Sequence, residues 1–348
     1  MKKRAKLNNK NSKFVKSLSV AALAGLTFFG AQANAQEVIE GHFIDSPTAP
    51  ANGAAINNPY NETIDNIDAS FKNNYAKSII HNEAEQAIGG TIANGGAIYN
   101  IGTVNGGTIT EISGNYVEGY SGAQGGAIWN VSNTFKLDEV GDITDNHAIA
   151  AVAPAYGGAI YNTAAADFGK LNGAIKNNYV LSGKLDENGK VISGTGSVAY
   201  GGAIYNTAGG FTGGNVTEIS GNYAESGSAP AYGGAIYNTS NAFKLDEIGD
   251  IINNHVTSQT APAQGGAIFN QAGNLGVLNG AIKDNYAVSG KYDENGNLTG
   301  GAYAYGGAIY NVAGGFTGGN VTEISGNYAE GFGGAMAGVF IIHPAHSN

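Results

Sequence analysis

GGAIYN at residues 95–100 is the stretch whose reading decides the fold, because the chain repeats it. Near-copies begin at Gly125 (GGAIWN), Gly157, Gly201, Gly233, Gly265 (GGAIFN) and Gly306, and a last GGA begins at Gly333 before the pattern breaks off. A second motif, an apolar residue three places before an asparagine, runs beside it. It ends on Asn74 (FKNN), Asn115 (ISGN), Asn146 (ITDN), Asn178 (IKNN), Asn222 (ISGN), Asn254 (IINN), Asn285 (IKDN) and Asn327 (ISGN). From each GGA to the next such Asn the distance is always 20 or 21 residues, whereas from Asn to the next GGA it is 21, 10, 11, 23, 11, 11, 21 and 6. One arm is constant and the other free, as expected of a wound core with surface loops.

A longer period lies above this one. FKLDEVGDITDNH at 135–147 returns as FKLDEIGDIINNH at 243–255, and GGFTGGNVTEISGNYAE at 209–225 returns at 314–330. Units therefore come in sets of three, and such near-identity points to duplication within one chain.

The constant arm divides into short β-leaning pieces, GAIYN, then FKLDEV or NVTEI, then DITDNH or EISGNY, separated by Gly, Asn and Asp. No window after the leader shows sustained helical periodicity with caps. A five-residue strand cannot bury a face alone, but stacked equivalents pair about 4.8 Å apart. The expected fold is therefore all-β, a parallel β-helix (β-solenoid) of about eight rungs with roughly three strands each. In that fold Gly-Gly supplies a positive-φ bend, and alternation puts Ile98 and its equivalents inward. An aromatic column, Tyr99, Trp129, Tyr161, Tyr205, Tyr237, Phe269 and Tyr310, is left at least partly outward. The recurring Asn suits a ladder, each amide bonding to the same residue one rung on.

Composition bounds the rest. The 348 residues include 56 Gly without a G-X-Y period, which excludes collagen, and no Cys, which excludes a disulfide framework and attachment of lipid to an N-terminal cysteine. Residues 1–35 read as a secretory signal peptide, with a basic n-region, the short apolar run SLSVAALAGLTFFG, and Ala33-Asn34-Ala35 before the cleavage point. Seven of the 17 basic residues leave with it, so 10 basic against 27 acidic residues remain, a balance of −17. Such a chain is repelled by nucleic acid and by anionic membrane surfaces. Residues 36–63 are expected to be an N-terminal linker or cap, and 64–335 the β-helix. Residues 336–348 form an aberrant tail: IYN should follow GGA, but the chain reads MAGVFIIHPAHSN. A frameshift or truncation accounts for that, and a polar cap is the alternative.

GGAI paired with a following apolar-x-x-Asn resembles the GGA[I/L/V] and FxxN repeats of the polymorphic outer-membrane proteins and related autotransporter passengers. The resemblance covers residues 64–335, with Ile in place of Phe in seven of the eight Asn motifs and Phe71 as the literal match. It implies a right-handed β-helix displayed on a Gram-negative surface, most often for adhesion, with a host surface protein or glycan as partner. Export would use the general secretion machinery. The family's membrane barrel needs many alternating strands, and 15 residues remain after Gly333. Membrane association is therefore expected only through a missing or separate barrel, and without one the chain would be periplasmic or extracellular.

Several residues are candidates for chemistry. His147 and His255 replace Tyr once per set, about three rungs or 14 Å apart, too far to share a metal. They read as members of a stacked column, and His343 and His346 lie in the tail. KLDE at 136–139 and 244–247 is duplicated with the scaffold, whereas a catalytic group should occur once. No catalytic, metal or cofactor site is expected. The long loops 180–200 and 287–305 carry DENG (Asp186, Glu187, Asn188; Asp293, Glu294, Asn295), read as hairpin turns and as a candidate binding ridge. The readings in order are a non-enzymatic adhesin or display stalk, a pectate-lyase-like carbohydrate-active enzyme, and a structural spacer.

Overall fold

The computed structural model describes residues 37–82, 86–336 and 340–342. The signal peptide at 1–35, His343 and His346 lie outside the described residues. What is described is a parallel β-helix with strands stacked in register into long sheets.

Each coil lays down four strands in turn. Face 1 runs from Glu37–Glu40 through Thr108–Ser113 and Asn215–Ser220 to Glu323–Ser325. Face 2 runs from Phe43–Asp45 to Tyr328–Gly331, face 3 from Ala51–Asn52 to Gly334–Met336, and face 4 from Ile56–Asn58 to Phe340–Ile342. Among the described residues faces 2, 3 and 4 each hold nine strands, which gives nine coils where about eight were expected, with four strands per coil in place of roughly three. A short fifth sheet adds Thr63–Asp65, Thr103–Asn105 and Phe135–Lys136. Nine coils at about 4.8 Å give a stack of roughly 38 Å.

Both ends of the described stack join the coils. Strand pairing begins at Glu37, so the described residues 37–63 contribute a coil of their own at the N-terminal end, which fits the cap rather than the linker. In the tail, Phe340, Ile341 and Ile342 pair with Ile309, Tyr310 and Asn311, so the backbone continues face 4 although IYN is lost. The count of eight came from the Asn motif, which the first coil lacks.

Strand pairing follows the motifs residue for residue. Ile98, Ile128, Ile160, Ile204, Ile236, Ile268 and Ile309 are consecutive partners in face 4, and all are buried. Ile112, Ile143, Ile175, Ile219, Ile251 and Ile282 line face 1 equally deeply, preceded in their row by Phe71 and the half-buried Ile39. Between these rows sit Phe135, Phe168, Phe211 and Phe243. Where faces 2 and 3 converge, the interior is mostly alanine, with Val117, Val180 and Val256 among Ala76, Ala148, Ala224 and others. Each buried Ile is worth about 2 kcal/mol, and stacking supplies the burial that no coil achieves alone.

The two glycines of GGA do different work. Gly95 has φ +56, a left-handed bend that a side chain rarely adopts. A Cβ on Gly96 would fall 2.1 Å from the Gly126 carbonyl oxygen and 2.6 Å from that of Tyr116, so the second glycine permits close approach of neighbouring coils. The residue before each ladder Asn is also left-handed: Asn73, Asp145, Asn177, Asn253 and Asp284 have φ between 52° and 58°, and Gly114, Gly221 and Gly326 take the same place. That requirement explains why the position admits only Gly, Asn and Asp.

Candidate functional site

The polar repeats are spent on each other. Asn115 Nδ2 donates to Asn146 Oδ1 at 2.9 Å and to the Phe71 carbonyl at 2.8 Å, while its Oδ1 accepts the Asn74 backbone N–H at 3.0 Å. The same pattern links Asn146, Asn178, Asn222, Asn254, Asn285 and Asn327. A second ladder runs through the closing residue of GGAIYN: Asn58, Asn100, Asn130, Asn162, Asn206, Asn238, Asn270 and Asn311 are joined by Nδ2 to Oδ1 bonds of 2.6–2.9 Å. The first ladder was expected residue by residue. The second was equally visible as the N of GGAIYN, but the site residues named from sequence omitted it.

Aromatic rings repeat in three outward columns. On face 4, Tyr99, Trp129, Tyr161, Tyr205, Tyr237, Phe269 and Tyr310 stack with centroids 4.4–6.0 Å apart. The rings are half-buried and Phe269 is buried. On face 3, Tyr156, Tyr200 and Tyr232 fit beside them, each touching a face-4 ring one coil on, Tyr205, Tyr237 and Phe269, at 4.6–5.1 Å. On face 2, the unbroken series Phe43, Tyr75, Tyr116, His147, Tyr179, Tyr223, His255, Tyr286 and Tyr328 stacks at 3.6–5.1 Å. Because the planes lie nearly parallel along the stack, ring faces meet neighbouring rings, and solvent sees mainly edges and hydroxyls.

Burial pushes the pKa of both column histidines down to about 4, with a hydrogen bond to the Asp145 backbone opposing at His147. They are neutral at pH 7. Burial raises the phenols as well, Tyr156 to about 12 and Tyr200, Tyr205 and Tyr223 further. Glu225 is raised, mainly by burial, with Gln259 opposing. Glu111 and Glu218 are lowered by hydrogen bonds from Lys72 and Lys176 across one coil.

Both copies of the KLDE aspartate have one task. Asp138 Oδ2 accepts Gly107 N–H at 3.0 Å, and Asp246 Oδ2 accepts Gly214 N–H at 2.9 Å, each bond tying one coil to the preceding one. Among the described residues, no three His, Asp or Glu side chains are grouped to hold a metal.

Long arms emerge between faces 2 and 3, and each of the two DENG loops forms a hairpin. Asp186 Oδ1 accepts the N–H groups of Asn188 and Lys190, and Asp293 Oδ1 those of Asn295 and Asn297, all at 2.8–3.0 Å. Asp186, Asp293 and their turn neighbours Glu187, Asn188, Glu294 and Asn295 are all exposed. The hairpin bases pack back on the stack: Val191 is buried and accepts Gln259 Nε2 through its carbonyl at 2.7 Å, and the Tyr292 hydroxyl donates to Glu330 at 2.5 Å. A third hairpin, Ile80–His81 with Ala87–Gly89, occupies the same corner three coils earlier. Its 21-residue arm marked it in the sequence, but without DENG it was not named.

No family model, curated protein or solved structure matches this chain.

Proposed function

We propose that this chain is an exported, surface-associated β-helical passenger of autotransporter type, a non-catalytic adhesin or display stalk. The observation that carries the reading is the row of three hairpins, in the second, fifth and eighth coils, all at one corner and about 14 Å apart. A rigid stack that presents loops at a regular interval suits attachment, and solenoids carry specificity in such loops. The duplicated carboxylates support a non-catalytic role, because Asp138 and Asp246 are each committed to a backbone bond. The leader at 1–35 and the GGAI repeats support export and outer-membrane association, with a host surface protein or glycan as partner and a barrel supplied by a continuing or separate chain.

The test is expression with the native leader beside a translocating barrel, followed by surface labelling and host-cell attachment. Labelling and attachment that fall on removal of residues 184–195 and 291–299 together are the expected result. Attachment indifferent to both deletions refutes the adhesive role and leaves a spacer. Release of new reducing or unsaturated sugar ends from polysaccharide refutes the non-catalytic one.

A further inference from the structure

Internal duplication gives this chain its own control, because scaffold residues recur 108 positions on while a binding group need not. Gln124 and Trp129 correspond in this way to Tyr232 and Tyr237. At the later site both are stacked tyrosines. At the earlier one the pair has become an amide and the only tryptophan of the chain, and they bond to each other, Trp129 Nε1 donating to Gln124 Oε1 at 2.8 Å. One coil before Gln124, in the same outward column, stands Asn94. Its Nδ2 donates to Asn52 Oδ1 at 3.0 Å, but its Oδ1, in a residue only 6% exposed, has no hydrogen-bond partner. A buried acceptor of this kind is costly unless a donor reaches it.

The double row of rings is therefore interrupted beside Trp129, as it is again at Gln264. Between these two breaks a face-3 tyrosine bridges two successive face-4 rings, as Tyr156 does against Tyr161 and Tyr205 at 5.9 and 4.6 Å. Beside Trp129 an amide stands in that position, and Trp129 lies 6.0 Å from Tyr161, the widest step of the face-4 column. On that side the indole therefore meets an amide rather than a ring.

Charge narrows the ligand. In register with Asn94 and Gln124 run Asn52, Tyr156, Tyr200, Tyr232, Gln264 and Tyr305, all uncharged, and the face-4 column beside them is uncharged too. The strip is neutral although the chain carries 27 acidic residues. It offers an indole flank, amides and phenol hydroxyls but no ion, which matches a polyhydroxylated ring without charge: apolar C–H edges for the indole and O–H donors for Asn94 Oδ1.

We infer that Trp129, Gln124 and Asn94 anchor a neutral carbohydrate chain that lies along the aromatic strip of faces 3 and 4. This rests on the adhesive reading above and assigns it a second contact surface, separate from the hairpin corner. The experiment titrates the purified chain with neutral hexasaccharides of glucose, mannose and N-acetylglucosamine, and with an anionic hexauronide. Fluorescence of the sole tryptophan is the readout, with calorimetry in parallel. Saturable binding of a neutral sugar is expected, weakened at least tenfold by Gln124→Tyr, which installs the residue its copy carries, and likewise by Asn94→Ala. Trp129→Tyr, followed by calorimetry, serves if Gln124→Tyr does not fold. The inference is overturned if no neutral sugar binds, if the hexauronide binds more tightly, or if these substitutions leave affinity unchanged. Host-cell attachment that survives all of them, yet falls with the hairpin deletions, would remove this inference while leaving the adhesive reading in place.

Discussion

Acidification should loosen this solenoid through two residues. His147 and His255 stack between tyrosines, and burial lowers each from 6.5 to about 4. Below pH 6.5 the unfolded chain takes up protons that the folded chain refuses, so stability falls as pH drops and levels off only below about 4. With those values, each histidine costs about 2 kcal/mol between pH 7 and pH 5, hence about 4 kcal/mol for the pair. Glu225 acts in the opposite direction, because its raised carboxyl gains a proton more readily in the folded state. Glu111 and Glu218, held low by their lysines, stay ionised throughout this window. The assay is urea unfolding at pH 7 and pH 5 for the native chain and for a variant carrying His147→Tyr and His255→Tyr, which restores the column's usual residue. The midpoint of the native chain should fall and that of the variant should hold, with Glu225 common to both. Equal losses in the two proteins would refute the argument.

Asn222→Ala should destabilise by about 1–3 kcal/mol, because it removes donors to Asn254 Oδ1 and the Ile175 carbonyl and strips the acceptor of Asn178; the unfolding midpoint reads this. Ile236→Ala should cost about 2–5 kcal/mol by opening a cavity in the innermost row, measured in the same titration. Gly126→Ala would put a Cβ 1.8 Å from the Gly158 carbonyl oxygen, so a loss of more than about 3 kcal/mol, seen as low soluble yield, is expected. Lys176→Ala, which breaks the partly exposed pair with Glu218, should shift stability by no more than about 1 kcal/mol, since ladders rather than ion pairs join the coils.

The coil was legible because its demands are local and recur. Ile at the second place after Gly-Gly must face inward, and a left-handed residue must precede each ladder Asn, so the spelling of the motif carries its geometry. What escaped had a weakened spelling or none. Glu37–Asp65 forms a coil that echoes ANGGAIYN only as ANGAAINN at 51–58 and carries His42 in place of the ladder Asn, held by pairing to the coil above. The hairpin after Ile79 shares a corner with two DENG hairpins but lacks their motif. The break at Asn94, Gln124 and Trp129 emerged only when spatial columns replaced linear motifs, because its residues lie up to 35 positions apart in sequence yet occupy adjacent coils.

The three-coil set also makes length an inheritable variable. The interface between the fifth and sixth coils joins the end of one set to the start of the next, with Asn178 bonded to Asn222 and Tyr179 stacked on Tyr223. An unequal exchange between the two near-identical gene segments would add or delete a whole set. The new junction would then copy this one, leaving every rung in registry and the ladders unbroken. Each gain would add one hairpin and roughly 14 Å of reach without asking the chain to solve any new packing problem.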